Sequence, residues 1–284
     1  MNIRYLWPHW GSEDLSAIEW FRAVENGGFG GIEINLPESE AFLSAFPDEL
    51  AKARQRDPGF LFVAQQVYGG TAATVDQCID ETIRRLEEIA AFRPDTINSH
   101  TGKDYFSFED NCRVIEAVEA FSQSSGIPVW HETHRGRFSF HGSTFLPYLD
   151  VFPDLSIAAD FSHWCNVSES MLQHQDHIID AVIPHIRHIH ARIGWEQSAQ
   201  VNDPFAPEWS SRVETFLGWW QRIVDHASQS GAEQLSITPE FGPWPYMPEV
   251  PYSREPIADQ NEINREITTL LRDRLKITTL PERV

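Results

Sequence analysis

Short apolar runs alternate with amphipathic stretches from one end of this chain to the other, and the rhythm repeats eight times. Candidate strands lie at Ile3–Pro8, Gly30–Asn35, Leu61–Tyr68, Thr96–His100, Pro128–Glu132, Ser156–Asp160, His185–His190 and Leu235–Glu240. Helical periodicity fills the intervals at Leu15–Glu25, Glu40–Arg54, Val75–Phe92, Glu109–Ser122, Ser168–Ile183, Trp209–Ala227 and Ile257–Leu275, and a further short helix is expected between Glu132 and Ser156. The firmest helix is Val75–Phe92, with Ile79, Ile83, Leu86 and Ile89 on one stripe. Strand–helix alternation implies a parallel sheet with right-handed crossovers, and eight such units close most economically into a (β/α)8 barrel, with an open doubly wound sheet as the alternative. The fold class is therefore α/β, a single (β/α)8 TIM barrel over residues 1–284, ending in a proline-rich segment and a final helix at 243–284.

A chain of 284 residues fits one such barrel, and 41% hydrophobic residues supply its core. Its 22 basic against 42 acidic residues give a formal charge of −20, which repels polyanions, so neither nucleic acid nor an acidic membrane surface is an expected partner. Cys78, Cys112 and Cys165 lack the spacing of a disulfide framework or thiolate zinc site. The start MNIRYLWPHWG has no secretory pattern and no apolar run is of membrane-spanning length, so a cytoplasmic protein is expected. Adjacent Trp219 and Trp220 on one predicted helix raise the expectation of a face covered by a partner.

Four predicted strands end in ionisable residues: Glu132 in PVWHETHR, Asp160 in LSIAADFSHW, His190 in IRHIHARIG and Glu240 in LSITPEFG. Residues nearest the C-terminal ends of barrel strands face the substrate loops, and alternation gives Ser156, Ala158 and Asp160 one face, Ser236, Thr238 and Glu240 another such series, and His188, His190 and Arg192 a third. Any one of these is more often a surface charge or a satisfied core group; four together are not. Three carboxylates and an imidazole make an oxygen-rich site for one divalent ion per chain, with Mn²⁺, Mg²⁺, Co²⁺ or Zn²⁺ all suited, and either His188 or His190 as the imidazole.

At these residues the chain resembles the xylose isomerase-like superfamily, which includes tagatose 3-epimerase, hydroxypyruvate isomerase and endonuclease IV. The most specific segments are GGFGGIEINLP, HETHR, DFSHW, HIHARIG and TPEFG. The resemblance to the epimerase branch implies that Glu132, Asp160, His190 and Glu240 bind the metal, that His163 contacts substrate, and that a homodimer forms. It further implies proton transfer by Glu132 and Glu240 through an enediolate, in an isomerase or epimerase of a small sugar, sugar phosphate or related hydroxy-carbonyl compound. The chain departs from the epimerases beyond the seventh strand, where Arg192 follows the histidine directly and GWEQSAQVNDPFAPEW intervenes.

Further rim residues expected to shape substrate binding are His9, Trp10, Glu33, Gln66, His100, Lys103 and His188. Arg135, Arg137 and Arg192 follow metal-bearing strands and suit a phosphate or carboxylate, or equally balance the acidic ligands. Of the aromatics Trp7, Trp10, Trp164, Trp195, Trp244 and Tyr246, Trp10, Trp164 and Trp244 are favoured as an apolar wall. Three other functions remain open: an inosose-type dehydratase, an endonuclease IV-like nuclease using His9, His100, His134 and His163 as extra ligands, and a metal- or sugar-binding protein without turnover.

Overall fold

The computed structural model describes residues 1–67 and 74–277. Among these, nine strands form one parallel sheet: β1 Asn2–Tyr5, β2 Trp7–Pro8, β3 Gly31–Ile34, β4 Leu61–Gln66, β5 Thr96–Ser99, β6 Val129–Glu132, β7 Ile157–Ala159, β8 Ile186–Ala191 and β9 Gln234–Pro239. β1 pairs with β9 and β2 with β3, so the two are halves of the expected first strand, interrupted at Leu6, and the barrel closes through them. Leu6 N still donates to Ile237 O at 2.9 Å. The expected last residue of the third strand, Tyr68, lies outside the described residues.

The helices are α1 Ala17–Asn26, α2 Glu40–Arg56, α3 Val75–Ala90, α4 Phe108–Ser125, α5 Gly142–Val151, α6 Phe161–Val167, α7 Asp176–Val182, α8 Ser210–Gln229 and α9 Gln260–Arg274. Local chemistry sets their ends: Ser16 and Glu19 form a capping box on α1, and Gly126, at φ 72°, closes α4 in the left-handed region that glycine adopts freely. The one expected helix at Ser168–Ile183 is a misreading. A helix starts earlier, at Phe161, because the Asp160 carboxylate accepts from Ser162 N at 2.9 Å, and it cannot run on because Glu169 (φ 46°) and Leu172 (φ 53°) are left-handed. On α3 the buried face is Cys78, Thr82, Leu86 and Ile89, rotated slightly from the predicted stripe so that Ile79 and Ile83 sit at its edges.

Register places Ile32, Ile34, Phe62, Ala64, Ile97 and Val129 against the helices, while Glu33, Gln65, Asn98, Glu132, His188 and His190 face the barrel interior. Trp219 and Trp220 are both buried, Trp219 against Phe161 and Phe216 and Trp220 against Phe216, so they belong to this chain's own core and signal no partner. Among the described residues no helix is long and apolar enough to cross a membrane.

Candidate metal centre and cavity

The C-terminal rim gathers Glu132 from the end of β6, Asp160 after β7, His190 from β8 and Glu240 after β9. Each offers one ligand atom, all within 4.8 Å of one another, and all four residues are buried. His190 Nδ1 lies 2.8 Å from Glu240 Oε2 and 3.5 Å from Glu132 Oε1. On the other edge of the ring, Nε2 meets Glu33 Oε1 at 2.9 Å; a carboxylate only accepts, so Nε2 carries a hydrogen and Nδ1 is the nitrogen turned toward the two glutamates. Nδ1 and Glu240 Oε2 are nevertheless buried without a properly directed hydrogen bond. Two such atoms at this separation call for a positive charge between them. The imidazole meets that demand by holding a proton: burial opposes it, but Glu240, Glu33 and Glu132 outweigh burial and push His190 well above its ordinary range.

Arg192 is the balancing cation. Its Nε donates to Asp160 Oδ2 at 3.0 Å, its NH2 lies 2.9 Å from Glu240 Oε2, and its NH1 donates to Gln200 at 3.2 Å. Tyr246 and Trp10 cover it, with ring centroids 4.4 and 5.3 Å from the guanidinium carbon. Burial pushes Asp160 up to about 6, with Arg192 pulling it back and Glu240 and Glu132 reinforcing the rise. Glu132 goes the other way: burial would raise it, yet His100 and His190 hold it well below the carboxylate range.

His100 and His134 stack at 4.3 Å, and His134 meets His163 at 3.9 Å. Arginine only donates, so the 3.2 Å contact from Arg137 to His100 Nδ1 fixes Nε2 as the donor to Glu132 at 3.0 Å. His100 therefore has no lone pair for a cation, although it, Glu132 and His134 lie close enough to be considered a second metal group. Burial, then His100, holds His134 neutral, and burial, then His134, does the same to His163.

A cavity of about 420 Å³ opens above the cluster, lined by His9, Trp10, Glu13, Asn35, Pro37, Gln65, Val67, His100, Glu132, His134, Arg137, Arg192, Glu240 and Tyr246. Several residues expected to contact substrate lie outside the lining of this cavity. Gln66 faces away, accepting from Ser99 Oγ at 3.0 Å, and Gln65 takes its place. Glu33 and His188 lie beneath the cluster, hydrogen-bonded to each other at 3.1 Å, with His188 stacked on Trp130. Trp244 is 58% exposed under Arg254, whereas Trp164 and Trp7 are core residues and Trp195 packs on Trp209. Arg135 is exposed over the Tyr246 ring, His163 is buried behind His134, and Lys103 is buried outside the lining. Asn98, Gln65 and Gln200 were missed. Asn98 shares the inward parity of Thr96 and His100 on one strand, a signal present in the sequence, while Gln200 sits in an irregular segment that carries none.

No family model matches the chain, and a search of curated proteins finds no match. Solved structures do resemble it. The probable 3-DHS dehydratase AsbF of Bacillus anthracis, involved in petrobactin synthesis, is 17% identical over 96% of this chain and 100% of its own, with a TM-score of 0.59. A xylose isomerase domain containing protein of Salmonella typhimurium LT2 is 14% identical over 97% and 100%, with a TM-score of 0.64. A xylose isomerase-like TIM barrel protein of Mycobacterium smegmatis, solved in complex with magnesium, is 13% identical over 96% and 98%, with a TM-score of 0.58. The fold is thus the TIM barrel that the strand–helix alternation implied, shared with solved structures that are described as xylose isomerase-like.

Proposed function

We propose that the protein is a divalent-metal-dependent isomerase or epimerase of a small hydroxy-carbonyl compound. The observation that carries this reading is a charge and donor imbalance. Glu132, Asp160 and Glu240 face one guanidinium, Arg192, and a divalent ion supplies the two charges that neutralise them. His190 Nδ1 and Glu240 Oε2, buried without hydrogen bonds, fit as two of its ligands, with Glu132 and Asp160 as the others. A bound ion of this kind polarises a substrate carbonyl and acidifies the adjacent C–H.

The chain's own residues divide the remaining work. Glu132 Oε2 takes hydrogen bonds from Asn98 at 2.8 Å and His100 at 3.0 Å, which fix its orientation and favour its ionised form. Glu132, held ionised by these hydrogen bonds, takes the C–H proton and later releases it to solvent, while Glu240, on the other side of His190, delivers a proton to the opposite face of the enediolate and is recharged from solvent. Trp10 and Tyr246 wall the cavity and exclude water. The test is exchange of substrate C–H with D₂O by a ketose panel, beside metal content, in wild type, Glu132→Gln and Glu240→Gln. Loss of exchange with metal retained supports the assignment; undiminished exchange in both variants overturns it. An unsaturated product from any substrate assigns dehydration instead.

A further inference from the structure

We infer that the substrate ends, away from the carboxylate–imidazole cluster, in uncharged hydroxyl groups that seat on Gln65 and His9, which makes these two the specificity-determining residues of the cavity. The inference rests on the reading of the rim as a site for hydroxy-carbonyl compounds and adds how such a compound is held at its other end.

Strand order divides the cavity into two walls. With β1 and β2 taken as halves of one strand, β6, β7 and β8, which bring Glu132, Asp160 and His190, lie across the barrel from β2, β3 and β4. His9 follows β2, Gln65 belongs to β4, and both line the cavity. Its volume of about 420 Å³, room for ~14 waters, lets one small molecule touch both walls.

One end of the Gln65 amide is spent. Its Nε2 donates to Glu33 Oε1 at 3.2 Å, and because a carboxylate only accepts, the amide is fixed in that sense; Oε1 is left with no hydrogen bond among the described residues. His9 is held without using its ring nitrogens. Its backbone N–H donates to Glu33 O at 2.9 Å, its carbonyl accepts from Ser12 N at 2.8 Å, and its ring packs edge-to-face with Trp20 and Phe42 at 4.8 and 4.9 Å. Nε2 is buried with no partner, a state that a polar atom rarely keeps without a ligand. Burial holds the ring below its ordinary pKa, with Glu13 pulling the other way, so the imidazole is neutral and offers one donor and one acceptor.

This wall suits hydroxyl groups and rejects anions. A hydroxyl both donates and accepts, so it pairs with Gln65 Oε1 and with either tautomer of His9, whereas a phosphate or ionised carboxylate only accepts and opposes the Gln65 oxygen. The Glu13 carboxylate, in the same lining and held by Gly11 N at 2.9 Å, repels such an anion further. Of the arginines in the lining, Arg192 is engaged with Asp160, Gln200 and Glu240 and Arg137 with His100, on the side of the cluster.

The test measures affinities by calorimetry on Mn²⁺-loaded and EDTA-treated protein, with metal content read in parallel. The probes are dihydroxyacetone as the short reference, the ketopentoses D- and L-ribulose and D- and L-xylulose, and the 5-phosphates of D-ribulose and D-xylulose. Wild type should bind at least one ketopentose about tenfold or more tighter than dihydroxyacetone, and tighter than either phosphate, as added hydrogen bonds without added charge imply. His9→Phe keeps a ring between Trp20 and Phe42, and Gln65→Met keeps the side-chain length. Each should cut the ratio of ketopentose to dihydroxyacetone affinity about threefold or more, and the double variant should erase it, at unchanged dihydroxyacetone affinity. Ketopentoses no tighter than dihydroxyacetone, a phosphate tighter than its parent sugar, no binding of any probe, or a ratio that survives both variants would overturn the hydroxyl seat. Protein that takes up no Mn²⁺ yet keeps the ratio that depends on His9 and Gln65 would sink the metal reading alone, and Mn²⁺ uptake with dihydroxyacetone binding but no such ratio would sink the hydroxyl seat alone.

Discussion

A buried carboxylate with five donors makes a strong demand on the folded chain at Glu33, beneath the carboxylate–imidazole cluster. Its Oε1 accepts from His190 Nε2 (2.9 Å), Gln65 (3.2 Å) and Asn98 (3.3 Å), and its Oε2 from His188 Nε2 (3.1 Å) and Thr238 Oγ1 (2.5 Å). Burial alone would raise this carboxyl, but His190 and His188 drive it far below its ordinary range. Glu33→Gln preserves shape, removes the charge, and turns an NH₂ toward groups that themselves donate. At least two buried donors then lose their acceptor. With roughly 1.5–3 kcal/mol for each hydrogen bond to a charged group, the cost is about 3–6 kcal/mol, a large share of the total stability of a domain. For 284 residues, an unfolding entropy of roughly 2.1 cal/mol/K per residue converts this into a drop of about 5–10 °C in Tm. The same change frees His190 to carry its hydrogen on Nδ1, the wrong edge for a cation, and metal affinity should fall about 10–100-fold. Calorimetric scans in EDTA, followed by Mn²⁺ titration, read both effects. A Glu33→Gln protein melting within 1 °C of wild type, by this order-of-magnitude scale, and binding Mn²⁺ equally well would refute the network argument.

Three further outcomes are expected. At Mn²⁺ concentrations near 100-fold above Kd, wild type should gain about 2.7 kcal/mol, or roughly 4–5 °C in Tm, while Glu240→Gln and His190→Ala show a much smaller gain in scans with and without metal. Gly242→Ala places a Cβ 2.2 Å from the Trp10 ring and should lose about 1–3 kcal/mol in urea unfolding, with changed Trp10 fluorescence; unaltered stability would mean the ring moves freely. Burial pushes the Tyr5 hydroxyl up to about 12, against an opposing pull from Arg272, so its contribution to stability is present below pH 10 and is lost as pH rises from 10 toward 12. Tyr5→Phe should flatten that alkaline decline in urea midpoints, and an identical slope in both proteins would contradict it.

Much of this rim was legible because barrel geometry leaves few ways to arrange it. An ionisable residue closing an apolar run must sit near a strand's C-terminal end, which brought Glu132, Asp160, His190 and Glu240 to one place, and strand parity put His188, His190 and Arg192 on one face. Parity failed where both faces of a strand are buried: in β4 the run LFVAQQ does not alternate, and Gln66 was chosen where Gln65 faces the cavity. It also failed where a side chain sets the chain's direction, as at Asp160, which caps α6 and so moves the helix start. In the proline-rich segment, periodicity carries no information, and the exposed Trp244 was preferred to Tyr246, which covers Arg192.

The segment that breaks the epimerase pattern after β8 has a structural task that explains its presence. It carries Gln200, whose Oε1 accepts from Gly242 N at 2.7 Å and whose Nε2 donates to Gly242 O at 2.9 Å, while the same Oε1 receives Arg192. From α9, Asn264 clasps the neighbouring Phe241 backbone in the same two-bond manner, at 2.8 and 3.0 Å, and Gln260 donates to Trp10 O at 2.7 Å. Three carboxamides thus fix the backbone immediately after Glu240 and beside Trp10, where no regular element would hold it. Under the proposed function Glu240 would serve both a cation and a proton, and such a carboxylate needs its backbone fixed to a fraction of an ångström. The segment after β8 and the last helix supply that rigidity, and Arg192, held through Gln200, completes the charge pattern of the rim.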